Sequence, residues 1–249
     1  MSWGYGVLAT EVYDLDKPVG TSFGDVEYYE QFLRNGEGLI LEPAVGTGRI
    51  LVPLVQAGLA VDGYDSSPEM LSVCRERCAE RGIDPTIREA DMTKFVAPEE
   101  YSAVILPTGS ITLLHGPDEL RAALGCFRQS LKPGGRLVID LPPPMLLNGS
   151  ESMRSWRSEP YIWTLQTLHV AFDAAANQTT RWLRYDKWRD GALLATELQP
   201  FCLQHWSIAE FEAHLYASGF TDVSVTADYD ADCAPAPQSD IWTFHATRL

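Results

Sequence analysis

Between residues 38 and 144 the chain repeats one grammar: a short apolar run, a turn rich in small residues, then a stretch with helical spacing. Apolar runs at 38–43, 59–65, 85–91, 101–110 and 136–144 have the length and character of buried parallel strands. Segments 48–58, 66–82 and 117–135 carry helical spacing. The segment 66–82 opens on serines and Pro68 and closes on basic residues and Gly82, while 117–135 meets Pro133 and two glycines. Pro53 fits the first turn of its helix, where a missing N–H costs little. Strands joined by helical crossovers predict a mostly parallel sheet with helices on both faces.

After the prolines at 142–144 the period changes. Runs at 161–173, 178–189 and 192–205, separated by AAANQ and RDG, predict antiparallel hairpins. Ser207 with Glu210 three residues later predicts a capped helix ending at Gly219. TDVSVTADY and DIWTFHATRL supply two last strands, with a proline-bearing loop at 228–240. The reading is one α/β domain over 1–249, with 145–206 as an antiparallel β insertion or platform.

The chain has 249 residues, 45% of them hydrophobic, enough for a substantial core. A net charge of -15 argues against a nucleic-acid partner, which needs a basic face. No apolar stretch reaches the roughly 20 residues that span a bilayer. No signal-peptide pattern is visible, and five cysteines without zinc spacing read as reduced thiols of a cytoplasmic protein. No cluster of carboxylates and histidines suggests a metal.

Residues 39–51 read LILEPAVGTGRIL, which puts Glu42 between a strand and a glycine turn. A dinucleotide loop offers backbone N–H groups and a helix N-terminus to pyrophosphate, and an acid there repels the ligand. The third glycine position of that motif holds Leu51, and no GK[ST] follows for a P-loop. Glu42 suits a cationic ligand without phosphate; the structural alternative is that it satisfies turn amides.

EPAVGTGR resembles the glycine-rich motif of class I S-adenosylmethionine-dependent methyltransferases, and the likeness runs from about residue 10 to 248 in motif order. The resemblance implies a Rossmann-like seven-stranded sheet, with the 145–206 insertion over the acceptor side. It implies S-adenosylmethionine as cofactor, held by Glu42, Ala44, Gly46 and Gly48 in the loop. Ala44 stands where glycine is usual, which leads us to expect negative φ there. Asp65, with Ser66 and Met70 after it, matches the ribose-binding strand end, and Asp91 and Met92 in EADMTKF match the adenine-reading stretch. Pro107 and Thr108 in LPTGSITLL match the wall of the methyl channel, and SLKPGGRLVIDL matches the fifth strand. TEVYDLD resembles a tyrosine segment that covers the cofactor.

Methyl transfer from a sulfonium needs alignment and water exclusion more than a base. Candidate catalytic residues are His115, just after the channel wall, His205, before the capped helix, and Tyr13, if the N-terminal segment folds over the loop. Tyr5 belongs with Tyr13. The remaining histidines read as packing or surface residues. Arg181, Arg184, Lys187 and Arg189 read as a solvated strand edge, or as a contact for an anionic acceptor group. The aromatic insertion suggests a self-supporting platform, an apolar acceptor pocket or a homodimer face. The expected activity is methylation of an N or O atom of a small-molecule acceptor. The alternatives are a cofactor-binding sensor or scaffold without transfer, and a nicotinamide oxidoreductase.

Overall fold

The computed structural model describes residues 5–34, 36–144, 152–236 and 238–249. Two helices come first, α1 (Val7–Asp16) and α2 (Asp25–Arg34). The alternating unit follows: β1 (Ile40–Pro43), α3 (Leu51–Gln56), β2 (Val61–Asp65), α4 (Pro68–Glu80), β3 (Ile87–Glu89) and β4 (Tyr101–Leu106). A 3-10 segment (Pro107–Leu113) leads into α5 (Gly116–Ser130) and β5 (Leu131–Leu141). The platform strands are β6 (Ser152–Ser158), β7 (Tyr161–Asp173), β8 (Gln178–Arg189) and β9 (Ala192–Gln204). Helix α6 (Ile208–Ala217), β10 (Phe220–Ala227) and β11 (Trp242–Arg248) complete the chain.

Seven strands form one sheet in the order β10-β11-β5-β4-β1-β2-β3, and only β11 runs antiparallel to its neighbours. Helices α5 and α6 cover one face through Leu120, Phe127, Phe211 and Leu215. The other face is closed by Tyr29 and Leu33 of α2, Leu54 of α3 and Leu71 of α4. The Rossmann-like expectation therefore holds. The strand order reverses between β1 and β4, which opens a ligand crevice at their carboxyl ends.

Caps match the residues that signalled them. Ser67 accepts from the Met70 N–H with Pro68 at the first helical position, and Ser207 with Glu210 forms a reciprocal capping box. The hairpins at 161–173, 178–189 and 192–204 form as expected, turning on Asn177 and on Asp190–Gly191, which all hold positive φ.

Four features differ from the sequence reading. Helix α5 stops at Ser130, because Pro133 disfavours helical backbone at Lys132 and clashes with the carbonyl of Gln129; Leu131 already pairs with Tyr101 in the sheet. The basic residues of β8 do not lie on an edge, since β8 is flanked by β7 and β9, and alternation divides them between two faces. Strand β6 has a mostly polar, exposed sequence that shows no period-2 alternation. Ala44 has φ 52°, not the negative φ expected of a residue with a Cβ. Residues 145–151 of the insertion lie outside the described residues.

Left-handed backbone costs an L-residue about 1–2 kcal/mol, of which glycine's extra unfolded-state freedom offsets up to about 1. Ala44→Gly is therefore expected to stabilise the fold by about 0.5–1 kcal/mol. A thermal melt checks this through a rise of about 1–4 °C.

Candidate functional site

Strands β1 and β2 deliver Glu42 and Asp65 to the crevice. Between Glu42 and α3 the chain makes a tight loop in which Gly46 (φ 56°) and Gly48 (φ 86°) take left-handed backbone. A Cβ on Gly48 would lie 2.8 Å from Cys74 Sγ, so glycine lets the loop press onto α4. Gly63 does the same beneath the loop, where a Cβ would lie 2.8 Å from Leu51.

Glu42 is 3% exposed, and its buried Oε2 has no hydrogen-bond partner among the described residues. Burial pushes its carboxyl well above the usual glutamate range; Arg49 pulls the other way, and Asp25 and Asp65 add to the rise. Arg49 does not neutralise it by contact. Its guanidinium is committed to Asp25 in a buried bidentate pair, with Nη1 3.0 Å from Asp25 Oδ1 and a further bond to the Thr21 carbonyl at 3.1 Å. The turn-amide role for Glu42 finds no support at Oε2. A buried acid without a partner is costly, and a cation at the head of the glycine loop would offset that cost.

Asp65 is half-buried and spans the loop. Its Oδ2 accepts from the Gly46 N–H and its Oδ1 from the Ser67 N–H, both at 2.9 Å. Burial raises its carboxyl, and these backbone bonds oppose the rise. Each oxygen retains a second lone pair for a hydroxyl. Ser66 is exposed beside it and Met70 lies buried at the start of α4. Asp91 is half-buried after β3, with Oδ1 accepting from Thr93 N at 2.8 Å and Oδ2 paired to Lys94 at 2.6 Å. Burial raises Asp91, but the Lys94 and Thr93 bonds outweigh it and hold the carboxyl below its ordinary value. Met92 packs against the core nearby.

The wall after β4 is strained. Pro107 is buried, whereas Thr108 is exposed at φ 54° and precedes Gly109 at φ 78°. A β-branched residue in left-handed backbone costs energy and persists only when its surroundings hold it. Asp140, at the end of β5, does the holding: its Oδ2 accepts from Thr108 N and Tyr229 Oη, both at 2.8 Å, and its Oδ1 from Thr243 Oγ1 at 2.9 Å. Burial pushes Asp140 up to about 6 against these three donors.

Residues 40–135 match the model of a methyltransferase domain. A sugar N-methyltransferase of Streptoalloteichus has the same fold over 100% of this chain and 97% of its own, with a TM-score of 0.78 and 23% identity. The chain has the fold of S-adenosylmethionine-dependent methyltransferases, and its residues 40–135 resemble their methyltransferase domain. A Thermus thermophilus demethylmenaquinone methyltransferase is 34% identical over 109 residues, 42% of this chain and 48% of the relative. A Streptomyces venezuelae dTDP-3-amino-3,4,6-trideoxy-alpha-D-glucopyranose N,N-dimethyltransferase is 28% identical over 141 residues, 55% of this chain and 58% of the relative. The chain thus spans about half the length of the curated relatives it matches.

The residues of the crevice fit S-adenosylmethionine. The orphaned Glu42 Oε2 suits the ammonium and sulfonium end, the loop admits no Cβ at Gly48, and Asp65 offers free lone pairs. The N-terminal segment closes over it. A Cβ on Gly46 would lie 4.0 Å from the Tyr13 ring, Tyr5 meets Tyr13 edge-on at 5.9 Å, and the Tyr5 carbonyl accepts from Ser67 Oγ at 3.1 Å. Helix α1 also ties the α/β unit to the platform: Asp14 pairs with Arg77 of α4, Glu11 with Lys187 and Trp163, and Glu197 accepts from the Leu8 N–H.

The two candidate histidines meet at a different place. His115, at the N-cap of α5, and His205, just after β9, line one cavity of about 400 Å³ that contains none of the proposed cofactor residues. His115 Nδ1 bonds Gln178 at 3.1 Å and His205 Nε2 bonds Thr179 at 2.7 Å. Burial, reinforced by Arg181, lowers His205 below the ordinary histidine value. Asp25, Arg49 and Asp140 escaped the sequence reading. Asp140 had a signal, an acid at the carboxyl end of a strand like Glu42 and Asp65; the Asp25–Arg49 pair joins residues 24 apart and had none.

Proposed function

We infer that this chain is a methyltransferase that moves a methyl group from S-adenosylmethionine to a nitrogen or oxygen atom of a small-molecule acceptor, with the amine of an amino sugar as the first acceptor to test. The observation that carries the reading is Glu42, a buried acid left unpartnered where the cofactor's cationic end belongs. Support for the acceptor class comes from the Streptomyces relative, named for a dTDP-amino sugar, and from the sugar N-methyltransferase fold.

When bound, the cofactor supplies an activated methyl group on a good leaving group. The chain's part is then to bind, orient and dry the site. Glu42, Gly46 and Gly48 hold the amino-acid end, Asp65 and Ser66 the ribose, and Asp91, Met92 and Met70 the adenine side. Ala44, Pro107 and Thr108 shape the channel, with the backbone N–H of the exposed Thr108 held by Asp140. Tyr13 lies over the loop and excludes water. An amine acceptor loses its proton before attack, so no base has to stand at the reacting atom. His115 and His205 line a cavity apart from the cofactor residues and have no part in this reading of the transfer.

Methyl transfer from labelled S-adenosylmethionine to a panel of amino sugars, simple amines, carboxylates and phenols tests the reading. Labelled amine product supports it; binding of S-adenosylhomocysteine without transfer to any class favours the sensor or scaffold. Asp65→Ala removes charge-assisted bonds worth about 1.5–3 kcal/mol, so calorimetry is expected to show about 10–100-fold weaker cofactor binding.

A further inference from the structure

Of the basic residues on β8, all but one have an acid. Lys187 pairs with Glu11, Arg184 with Asp186 and Arg189 with Asp190. Arg181 has no acid partner among the described residues, and its buried Nε makes no hydrogen bond. Burial pulls its guanidinium below the ordinary range, and no carboxylate opposes the fall. Arginine keeps its charge all the same. In a chain with 34 acids and 19 lysines and arginines, an arginine goes unpaired by placement, not for want of acids.

Alternation turns Arg181 to the platform face that carries Tyr185 and Lys187, the face on which α1 lies. Leu183 still packs against the α1 cluster, and Arg181 is the next inward position. The register sets Val170 of β7 and Phe201 of β9 beside it, both apolar. Thr179, the inward residue on its other side, is buried and bonds His205 at 2.7 Å. The sheet around Arg181 therefore supplies no anion. Its surroundings lead instead to the crevice. Phe201 lies 6.4 Å from the Tyr5 ring, Tyr5 lies 5.9 Å from Tyr13, and Tyr13 covers the glycine loop at Gly46. Strand β9 also packs against the channel-wall segment Pro107–Leu113. A line of aromatic rings thus runs from the loop that fits the cofactor to an unpaired guanidinium.

We propose that the methyl acceptor carries an anionic group, a carboxylate or a phosphate, besides the atom that is methylated, and that Arg181 binds it. The proposal rests on the reading of the crevice as the S-adenosylmethionine site. It makes Arg181 a specificity-determining residue, not a catalytic one. A guanidinium fork matches two oxygens of either group, and in a half-dried place such a bond rejects neutral analogues. Anchoring the acceptor away from the reacting atom leaves its lone pair free to align with the methyl group. The two unpartnered charges then divide the work: Glu42 meets the cofactor's cationic end and Arg181 the acceptor's anion.

Calorimetry on the full chain saturated with S-adenosylhomocysteine tests it, with inorganic phosphate, pyrophosphate and acetate as probes. Wild type is expected to bind at least one of them, and which one tells phosphate from carboxylate. Arg181→Met is expected to weaken that binding about 10–100-fold, and Arg181→Lys to restore part of it. Arg157→Met, at an exposed cation of β6, is expected to leave it unchanged. Arg181→Met should bind S-adenosylhomocysteine as wild type does and melt no lower, since it removes an unpaired charge; a purely structural arginine would lower the melt. Wild type that binds S-adenosylhomocysteine but none of the three anions, or anion binding indifferent to Arg181→Met, would overturn the proposal and leave the cofactor reading standing. Weaker S-adenosylhomocysteine binding by Arg181→Met would give the arginine to the cofactor's own carboxylate and overturn it as well. Wild type that binds no S-adenosylhomocysteine would overturn both.

Discussion

Glu42→Gln is expected to weaken S-adenosylmethionine binding by about 10–100-fold while making the free protein more stable at neutral pH. The first effect is the loss of a charge-assisted contact worth about 1.5–3 kcal/mol. The second follows from burial. In the folded chain the Glu42 carboxyl titrates well above its ordinary value, so the folded state holds this proton more tightly than the unfolded one. The resulting stabilisation is complete below about pH 4.3, the unfolded value, and is lost as pH rises through the folded one. Glutamine carries no proton to lose, and its stability should be flatter across that window. Thermal melts between about pH 5 and pH 8 with and without S-adenosylhomocysteine separate the two effects. Equal ligand shifts in both proteins would dismiss Glu42 as the receptor.

Asp25→Ala is expected to be the most damaging single change to the fold. Arg49 and Asp25 are 3% and 0% exposed at their side chains, and the pair closes α2 against the loop that carries the glycines. Removing one partner of a buried ion pair leaves the other charge uncompensated, at about 3–5 kcal/mol. For a chain of this length, that is a fall in melting temperature of about 6–20 °C. Removing both charges is expected to cost much less, because a buried pair contributes little net stability against apolar neighbours. A melt of Asp25→Ala within 2 °C of wild type, a limit of about 1 kcal/mol, would contradict this account of the pair.

These residues show what local pattern can and cannot reveal. The strand ends at Glu42 and Asp65 were legible because acids, glycines and serine caps there act within a few residues of one another. The hairpins were legible because AAANQ and RDG are turn sequences in their own right. Asp140 was visible as a residue but its task was not, since it holds Thr108 and Tyr229, 32 and 89 positions away. Ala44 went the other way: local sterics favoured negative φ, and the loop imposed 52° because the chain must turn sharply from β1 over β2. Helix α1 was missed for a related reason. Its apolar side faces the platform and its acids reach Arg77 and Lys187, partners that exist only once the chain has folded. His115 and His205 share a cavity, an association their spacing of 90 residues did not announce.

The central claim is that the crevice keeps an acid without a partner for a cation to complete. Calorimetry of S-adenosylhomocysteine binding in two buffers of different ionisation enthalpy, between about pH 6 and pH 8, measures it most directly, because only the ionised acid can pair with the ammonium. Wild type should release a proton on binding and gain affinity as pH rises, and Glu42→Gln should lose that released proton along with most of its affinity. Identical proton counts and affinities in the two proteins would contradict it.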